Sequence, residues 1–331
     1  MTPFVLKTIE QVKRLIIAVL RRLGVLRLNS QRGDKGWDST LDWGIRVVLW
    51  LQRFSPELDV PFKALTSTGN ESLFVLFLPL IYWSLDRRTG ARLTILFLFS
   101  AYVNAVAKVL AGQPRPFEYD PRVRQLVEAG GGGLPSGHTQ GAVVVCGYLA
   151  SRFQKPWLWV IAGLLMIFIP LSRVYLGVHF PTDLLGGYLL GTVLLLFYLS
   201  LEPIAEAWLV KKGILWQLGV AVILPALLIL LFPGGEKSGI TAGATLMGTG
   251  VGFVLERRWI GFETDGIWWK LVLRFLLGGA VLFVLWSGLR VAFSCLEPEP
   301  LFRFIRYGLV GLWGGLGAPW AFERLRLVET W

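Results

Sequence analysis

Charge is scarce in this chain. Only 17% of its 331 residues are Asp, Glu, Lys or Arg, whereas 54% are hydrophobic; a soluble domain carries about 25% charged residues. That balance excludes an ordinary soluble protein and puts a membrane-embedded one first. Cysteine is scarcer still. Cys146 and Cys295 both lie in apolar stretches without metal-type spacing, which excludes a disulfide framework and a Cys-ligated metal and leaves buried thiols. Internal repeats, low-complexity tracts and a separate soluble domain are absent. The first 28 residues interleave Lys and Arg with apolar residues at helical spacing and lack the uninterrupted apolar core of a signal peptide. They read as a basic amphipathic helix on the membrane surface, or as a cytosolic helix packed on its own protein.

What is abundant agrees with a membrane. Fifteen tryptophans suit the bilayer interface, and 38 glycines let packed helices approach closely. The net charge of +11 sits in short connections and in the first 40 residues, so it marks topology and attraction to membrane lipids rather than nucleic acid. The stretch 41–54 is too short and too charged to cross a hydrocarbon core that takes about 20 apolar residues. Spanning helices are expected at roughly 66–86, 92–111, 137–153, 156–174, 183–201, 214–232, 239–256, 269–291 and 301–322. The fold class is thus all-α: a polytopic bundle of about nine spans, divided into an N-terminal surface region (1–60), a core (61–205) and C-terminal helices (206–331). Alternation gathers Arg87, Arg88, Arg92, Arg152, Lys155, Lys211, Lys212, Arg257, Arg258, Arg324 and Arg326 on one side, which the positive-inside rule makes cytoplasmic. The basic N-terminus falls on the other side in this count, a conflict that a tenth span or a surface-bound helix resolves.

Three short stretches carry the chemistry, because ionisable groups at helix ends of an apolar chain are functional candidates by default. They are KVLAGQPRP, PSGH and SRVYLGVHFPTD. Cleaving a phosphate ester requires cations and neutral donors around a dianion. Lys108, Arg115 and Arg173 supply three cations, and Ser136 with the backbone N–H groups of Ser136, Gly137 and His138 supplies donors at a helix start. A nucleophile is needed as well. His179 attacks through one ring nitrogen if the other donates to a carboxylate, and Asp183 stands four residues on, one helical turn away. His138 is left as general acid toward the leaving oxygen. Asn104, one turn before Lys108, either orients that lysine or makes a plain interhelical hydrogen bond.

Together these stretches resemble the type 2 phosphatidic acid phosphatase superfamily, whose signature reads Lys-x6-Arg-Pro, Pro-Ser-Gly-His and Ser-Arg-x5-His-x3-Asp; every specified position is matched between Lys108 and Asp183. The resemblance implies a transient phosphohistidine at His179, protonation of the leaving group by His138, and no metal or other cofactor. It implies a six-helix phosphatase-like core from about 66 to 201. The further spans look like the longer glucose-6-phosphatase and sphingosine-1-phosphate phosphatase branches, and TGNESLFVLFLPLIYWSLDRRTGARL is similar to the latter.

A site at the bilayer surface suits a substrate with a lipid tail. The expected reaction is hydrolysis of a lipid phosphate monoester, namely phosphatidic acid, a long-chain-base phosphate or phosphatidylglycerol phosphate. Undecaprenyl or another polyprenyl diphosphate is the alternative, and a sugar phosphate comes third. From other classes, a lipid transporter or scaffold that retains the motif and a vanadate haloperoxidase remain open, although haloperoxidases are soluble. Asn70, Glu71 and Glu118 are candidates for selecting the head group, with Asp120 read as a solvated loop carboxylate. The lack of a targeting peptide and of glycosylation-rich loops points to a bacterial inner membrane with the site on the periplasmic face.

Overall fold

The computed structural model describes residues 35–233 and 237–328. The amphipathic helix expected over the first 28 residues lies outside them. Every extended element among the described residues is a helix. In chain order these are α1 (Lys35–Leu51), α2 (Asp59–Ser67), α3 (Glu71–Leu80), α4 (Arg87–Ala111), α5 (Pro116–Tyr119), α6 (Gly137–Phe153) and α7 (Pro156–Tyr175). They continue with α8 (Pro181–Val210), α9 (Ile214–Leu231), α10 (Lys237–Trp259), α11 (Trp268–Ala292), α12 (Glu299–Leu312) and α13 (Ala318–Arg324).

Six helical stretches among the described residues are long and apolar enough to cross a membrane: Arg87–Tyr119, Pro156–Tyr175, Pro181–Val210, Ile214–Leu231, Lys237–Trp259 and Trp268–Ala292. The chain is an integral membrane protein. The other three expected spans are helical but fall short by these measures, for identifiable reasons. The 66–86 stretch is divided between α2, α3 and a π-helical turn at Ile81–Leu85, α6 has 17 residues, and α12 passes into a second π-helical turn at Trp313–Gly317. Hydropathy averages over such interruptions, because it registers composition and not hydrogen-bond register.

The chain divides into two compact units. The first comprises Met1–Asn70 and Val103–Leu195, and contains every residue of the three motifs. In it α1 lies with Leu41, Ile45 and Val48 buried against Val123, Val174 and Phe180, an i, i+4, i+7 stripe, and leaves Trp43 and Trp50 exposed. Close approach of α8 to the start of α6 depends on small residues. A Cβ at Gly187 would lie 2.7 Å from the Ser136 carbonyl oxygen and from Thr139, and one at Gly191 would lie 3.1 Å from the Gln140 carbonyl oxygen. Without side chains there, the N-terminus of α6 reaches the N-terminus of α8.

The second unit comprises Glu71–Tyr102 and Leu196–Trp331. Its core gathers Tyr82, Trp83, Phe262, Leu282 and Phe322. Glu256 is buried there and accepts from Arg87 at 3.0 Å and from the Tyr82 hydroxyl at 3.1 Å, so the charge enters the interior already paired. Arg274 is also buried, and its guanidinium is taken up by the carbonyls of Thr264, Asp265 and Leu327.

Candidate active site

The nucleophile candidate is fixed by its own helix start. Asp183 lies in the first turn of α8, four residues after His179, and its Oδ2 accepts from the His179 Nδ1–H at 3.1 Å and from the Phe180 N–H at 2.9 Å. Since a carboxylate only accepts, Nδ1 carries the proton, and Nε2 presents its lone pair. His179 is 1% exposed. Burial first, then the cations Lys108, Arg115 and Arg173, hold its pKa well below the ordinary imidazole value. The ring is therefore neutral at pH 7, the state a nucleophile requires.

Around it stand the three expected cations. Arg115 Nη1 lies 3.4 Å from His179 Nε2 and donates to the Val178 carbonyl at 2.7 Å, while Nε and Nη2 donate to the carbonyls of Gly131 and Gly130 at 3.0 and 2.6 Å. Lys108, in the last turn of α4, donates to the Gly132 carbonyl at 3.0 Å. Arg173, in the last turn of α7, is 5% exposed and donates from Nη1 to the Thr66 hydroxyl at 2.7 Å, whereas its buried Nε has no hydrogen-bond partner among the described residues. A buried N–H left unpaired in a protein interior is costly unless a ligand takes it up.

The PSGH stretch starts α6. Ser136 is its N-cap, with its hydroxyl accepting from the Thr139 N–H at 3.4 Å, and Gly137 and His138 form the first turn. One expectation needs correcting: the Ser136 N–H donates to the Asp183 carbonyl at 2.9 Å, so it ties α6 to α8 and is not available to an anion. His138 Nε2 lies 3.0 Å from Asn70 Oδ1. Gly69 lies against the same ring, where a Cβ would come within 2.8 Å of His138 Cδ2. Asn104 turns from Lys108 toward Gln140, to which its Nδ2 donates at 2.8 Å.

The remaining candidates separate. Asn70 is at the site, through His138. Glu118 caps α5 by accepting the Arg115 N–H at 2.8 Å, a local task one step removed from the charged cluster. Glu71 opens α3, and its side chain lies outside the described residues. Asp120 pairs with Arg122. Sequence reasoning missed Thr66, the Gly130–Gly132 carbonyls and Gln113, whose Nε2 donates to Asp183 Oδ1 at 2.6 Å. The run of four glycines before Leu134 was the one visible signal, a backbone free to bring its carbonyls close.

Comparison with known proteins bears on the same residues. The PAP2 superfamily model matches residues 89–205, and a second model, the PAP2 superfamily phosphatase transmembrane extension, matches 240–330. Phosphatidylglycerophosphatase B of Bacillus subtilis is 32% identical over 157 residues, covering 44% of this chain and 74% of that protein. The chain belongs to the PAP2 superfamily. Among other PAP2 relatives, lipid phosphate phosphatase delta of Arabidopsis thaliana is 28% identical, over 51% of this chain and 44% of its own length. Sphingosine-1-phosphate phosphatase 1 of Mus musculus is 25% identical, over 78% of this chain and 70% of its own. The chain thus spans less than half of the Arabidopsis relative and more than two thirds of the mouse one. The PAP2 match runs from α4 through most of α8 and so contains all three motifs. The extension match falls on α10 to α13, where the motifs gave no guidance.

Proposed function

We propose that this chain is an integral membrane phosphatase that hydrolyses a lipid phosphate monoester through a phosphohistidine on His179, without metal. The observation that carries the reading is a neutral, buried His179 held by Asp183 through Nδ1, with Nε2 turned toward Arg115. In this reading a phosphoryl group at Nε2 meets Arg115, whose Nη1 lies 3.4 Å from that nitrogen, and the positive field of Lys108 and Arg173 that already acts on His179, with the Ser136 hydroxyl and the first-turn N–H groups of Gly137 and His138 as neutral donors. Nε2 forms the P–N bond as the P–O bond to the lipid alcohol breaks, and His138 gives its proton to the departing oxygen. The imidazolium character gained by the phosphorylated ring is balanced by Asp183. Water, deprotonated by His138, then attacks phosphorus, releases inorganic phosphate and restores neutral His179.

Residues 61–205 form the catalytic core in this reading. If the nine stretches expected from the sequence all cross, the positive-inside rule puts the basic loops on the cytoplasmic side of a bacterial inner membrane and the site on the periplasmic side. Relatives named for lipid phosphates, sphingosine-1-phosphate and phosphatidylglycerophosphate support a lipid monoester.

The test is phosphate release by the purified full chain in mixed micelles, with phosphatidic acid, a long-chain-base phosphate, phosphatidylglycerol phosphate and a polyprenyl diphosphate, each in excess chelator. Hydrolysis of at least one monoester in chelator is expected. Cleavage of the diphosphate alone overturns the monoester reading, and activity restored only by a divalent cation overturns the metal-free mechanism.

Asn70 enters the same scheme through the general acid. Asn70→Asp puts a carboxylate about 3 Å from the His138 ring, which favours the imidazolium. His138 then holds its proton more readily than in the native chain, where burial and the cations Arg173, Lys108 and Arg115 depress its pKa, and the basic limb of the kcat/KM profile is expected to move up by about 1–3 pH units. An unmoved limb separates Asn70 from the acid.

A further inference from the structure

Asp183 has two oxygens, and the family signature accounts for one of them. Oδ2 receives His179 Nδ1–H and the Phe180 N–H. Oδ1 receives Gln113 Nε2 at 2.6 Å, where Gln113 is 8% exposed and Asp183 is 0% exposed. Gln113 is one of the six unspecified positions between Lys108 and Arg115. Its placement is not incidental to the chain path. Helix α4 ends at Ala111, Gly112 takes the left-handed conformation at φ +57° with its N–H on the Lys108 carbonyl, and the chain turns so that Gln113 faces Asp183. The Gln113 carbonyl accepts the Gly133 N–H at 2.8 Å, which pins its backbone on the glycine loop. A Cβ at Gly133 would lie 3.1 Å from Asp183 Oδ2, so the loop closes the carboxylate off on that side.

We infer that Gln113 is a positioning residue for the reaction: its carboxamide N–H fixes the plane of the Asp183 carboxylate, and through it the orientation and tautomer of the attacking His179 ring. The inference rests on the proposed phosphohistidine mechanism. A buried carboxylate with donors on one oxygen only is free to rotate about its Cβ–Cγ bond toward any other donor, and a donor on each oxygen removes that freedom. The partner must be a donor, because a carboxylate only accepts. At metal sites, outer-shell groups that orient the ligating side chains are typically worth about 10- to 100-fold, and the same order is expected for Gln113, which acts on His179 through Asp183.

Two variants of the full chain in lipid micelles decide it, with kcat and KM measured for a lipid monoester that the native chain cleaves, and the thermal unfolding temperature recorded for each. Gln113→Leu, which has no donor, is expected to lower kcat by about 10- to 100-fold with KM changed less than about twofold, since the residue touches Asp183 and not the phosphate. Gln113→Glu keeps the shape but is acceptor-only when ionised. Beside Asp183, whose other ionisable neighbours are His179, Lys108 and Arg115, the introduced carboxyl takes up a proton as pH falls and becomes a donor again. Its kcat relative to native is therefore expected to be low at pH 8 and to recover toward pH 5. Native kcat in Gln113→Leu overturns the inference, as does a loss that appears mainly in KM. If Gln113→Leu fails to fold, a kcat ratio for Gln113→Glu that stays flat with pH overturns it alone. A native chain that cleaves no monoester overturns the proposed function instead, and an active native chain with indifferent Gln113 variants overturns this inference only.

Discussion

His179→Ala is expected to abolish turnover, with a loss of at least about 10^4-fold in kcat, because it removes the group proposed to accept the phosphoryl. The variant should still fold. Asp183 keeps two donors, the Phe180 N–H on Oδ2 and Gln113 on Oδ1, and the Ser136 N–H still ties α6 to the Asp183 carbonyl. Rapid quenching of native enzyme with labelled substrate should trap an acid-labile, base-stable phosphoenzyme that the variant lacks; lipid hydrolysis retained by the variant would sink the mechanism. The native pH profile gives a second check on the same residue. A free imidazole near 6.5 would leave half the nucleophile protonated there. Burial and three flanking cations depress the His179 pKa, so its neutral form persists as pH falls and the acidic limb of kcat, which the second ionisation of the free monoester at about 6 does not enter, should lie clearly below 6.5. A limb at 6.5 would mean that the cations do not act on His179 as the geometry implies.

The charged cluster was legible in the sequence because charge is expensive to keep in a membrane. Charged residues among apolar helices have few reasons to be there, so Lys108, Arg115, Arg173 and Asp183 stood out against their surroundings, and the four-residue step from His179 to Asp183 is a helical step that needs no tertiary information. What could not be read was whatever depends on loop path. Gln113 and Thr66 are ordinary polar residues until Gly112 turns the chain and α2 lies against α7. The carbonyls of Gly130–Gly132 belong to the backbone and leave no side-chain signal beyond the glycines themselves. The Ser136 N–H looked like an anion donor because helix starts usually are, yet the approach of α8 over Gly187 gives it to Asp183. The helical character of the chain was legible throughout, from the long uncharged runs. The number of membrane-crossing helices was not, since π-helical turns at Ile81–Leu85 and Trp313–Gly317 leave composition unchanged while interrupting the α-helix.

Arg115→Lys is the substitution that best separates charge from geometry. Charge alone predicts a mild effect, since lysine keeps the cation in a cluster that already holds Lys108 and Arg173. The hydrogen bonds predict otherwise. Arg115 uses Nε, Nη1 and Nη2 on the carbonyls of Gly131, Val178 and Gly130, holding the glycine loop on one side and the turn before His179 on the other, and Nη1 reaches to 3.4 Å from His179 Nε2, the nitrogen proposed to attack. A single ammonium cannot span two loops that a planar fork joins. The loss should approach that for removing a preorganised donor at a developing anion, about 10^2- to 10^3-fold in kcat. It should exceed the loss for Lys108→Arg, which keeps the charge and still offers a donor to the Gly132 carbonyl that accepts from Lys108. Because Arg115 holds the loop as well as the phosphoryl group, the unfolding temperature should fall with the rate in Arg115→Lys and stay near native in Lys108→Arg. Equal kinetics for the two variants would mean that only the summed positive charge matters at this site, and the assignment of Arg115 as the residue that joins the glycine loop to the nucleophile would fail.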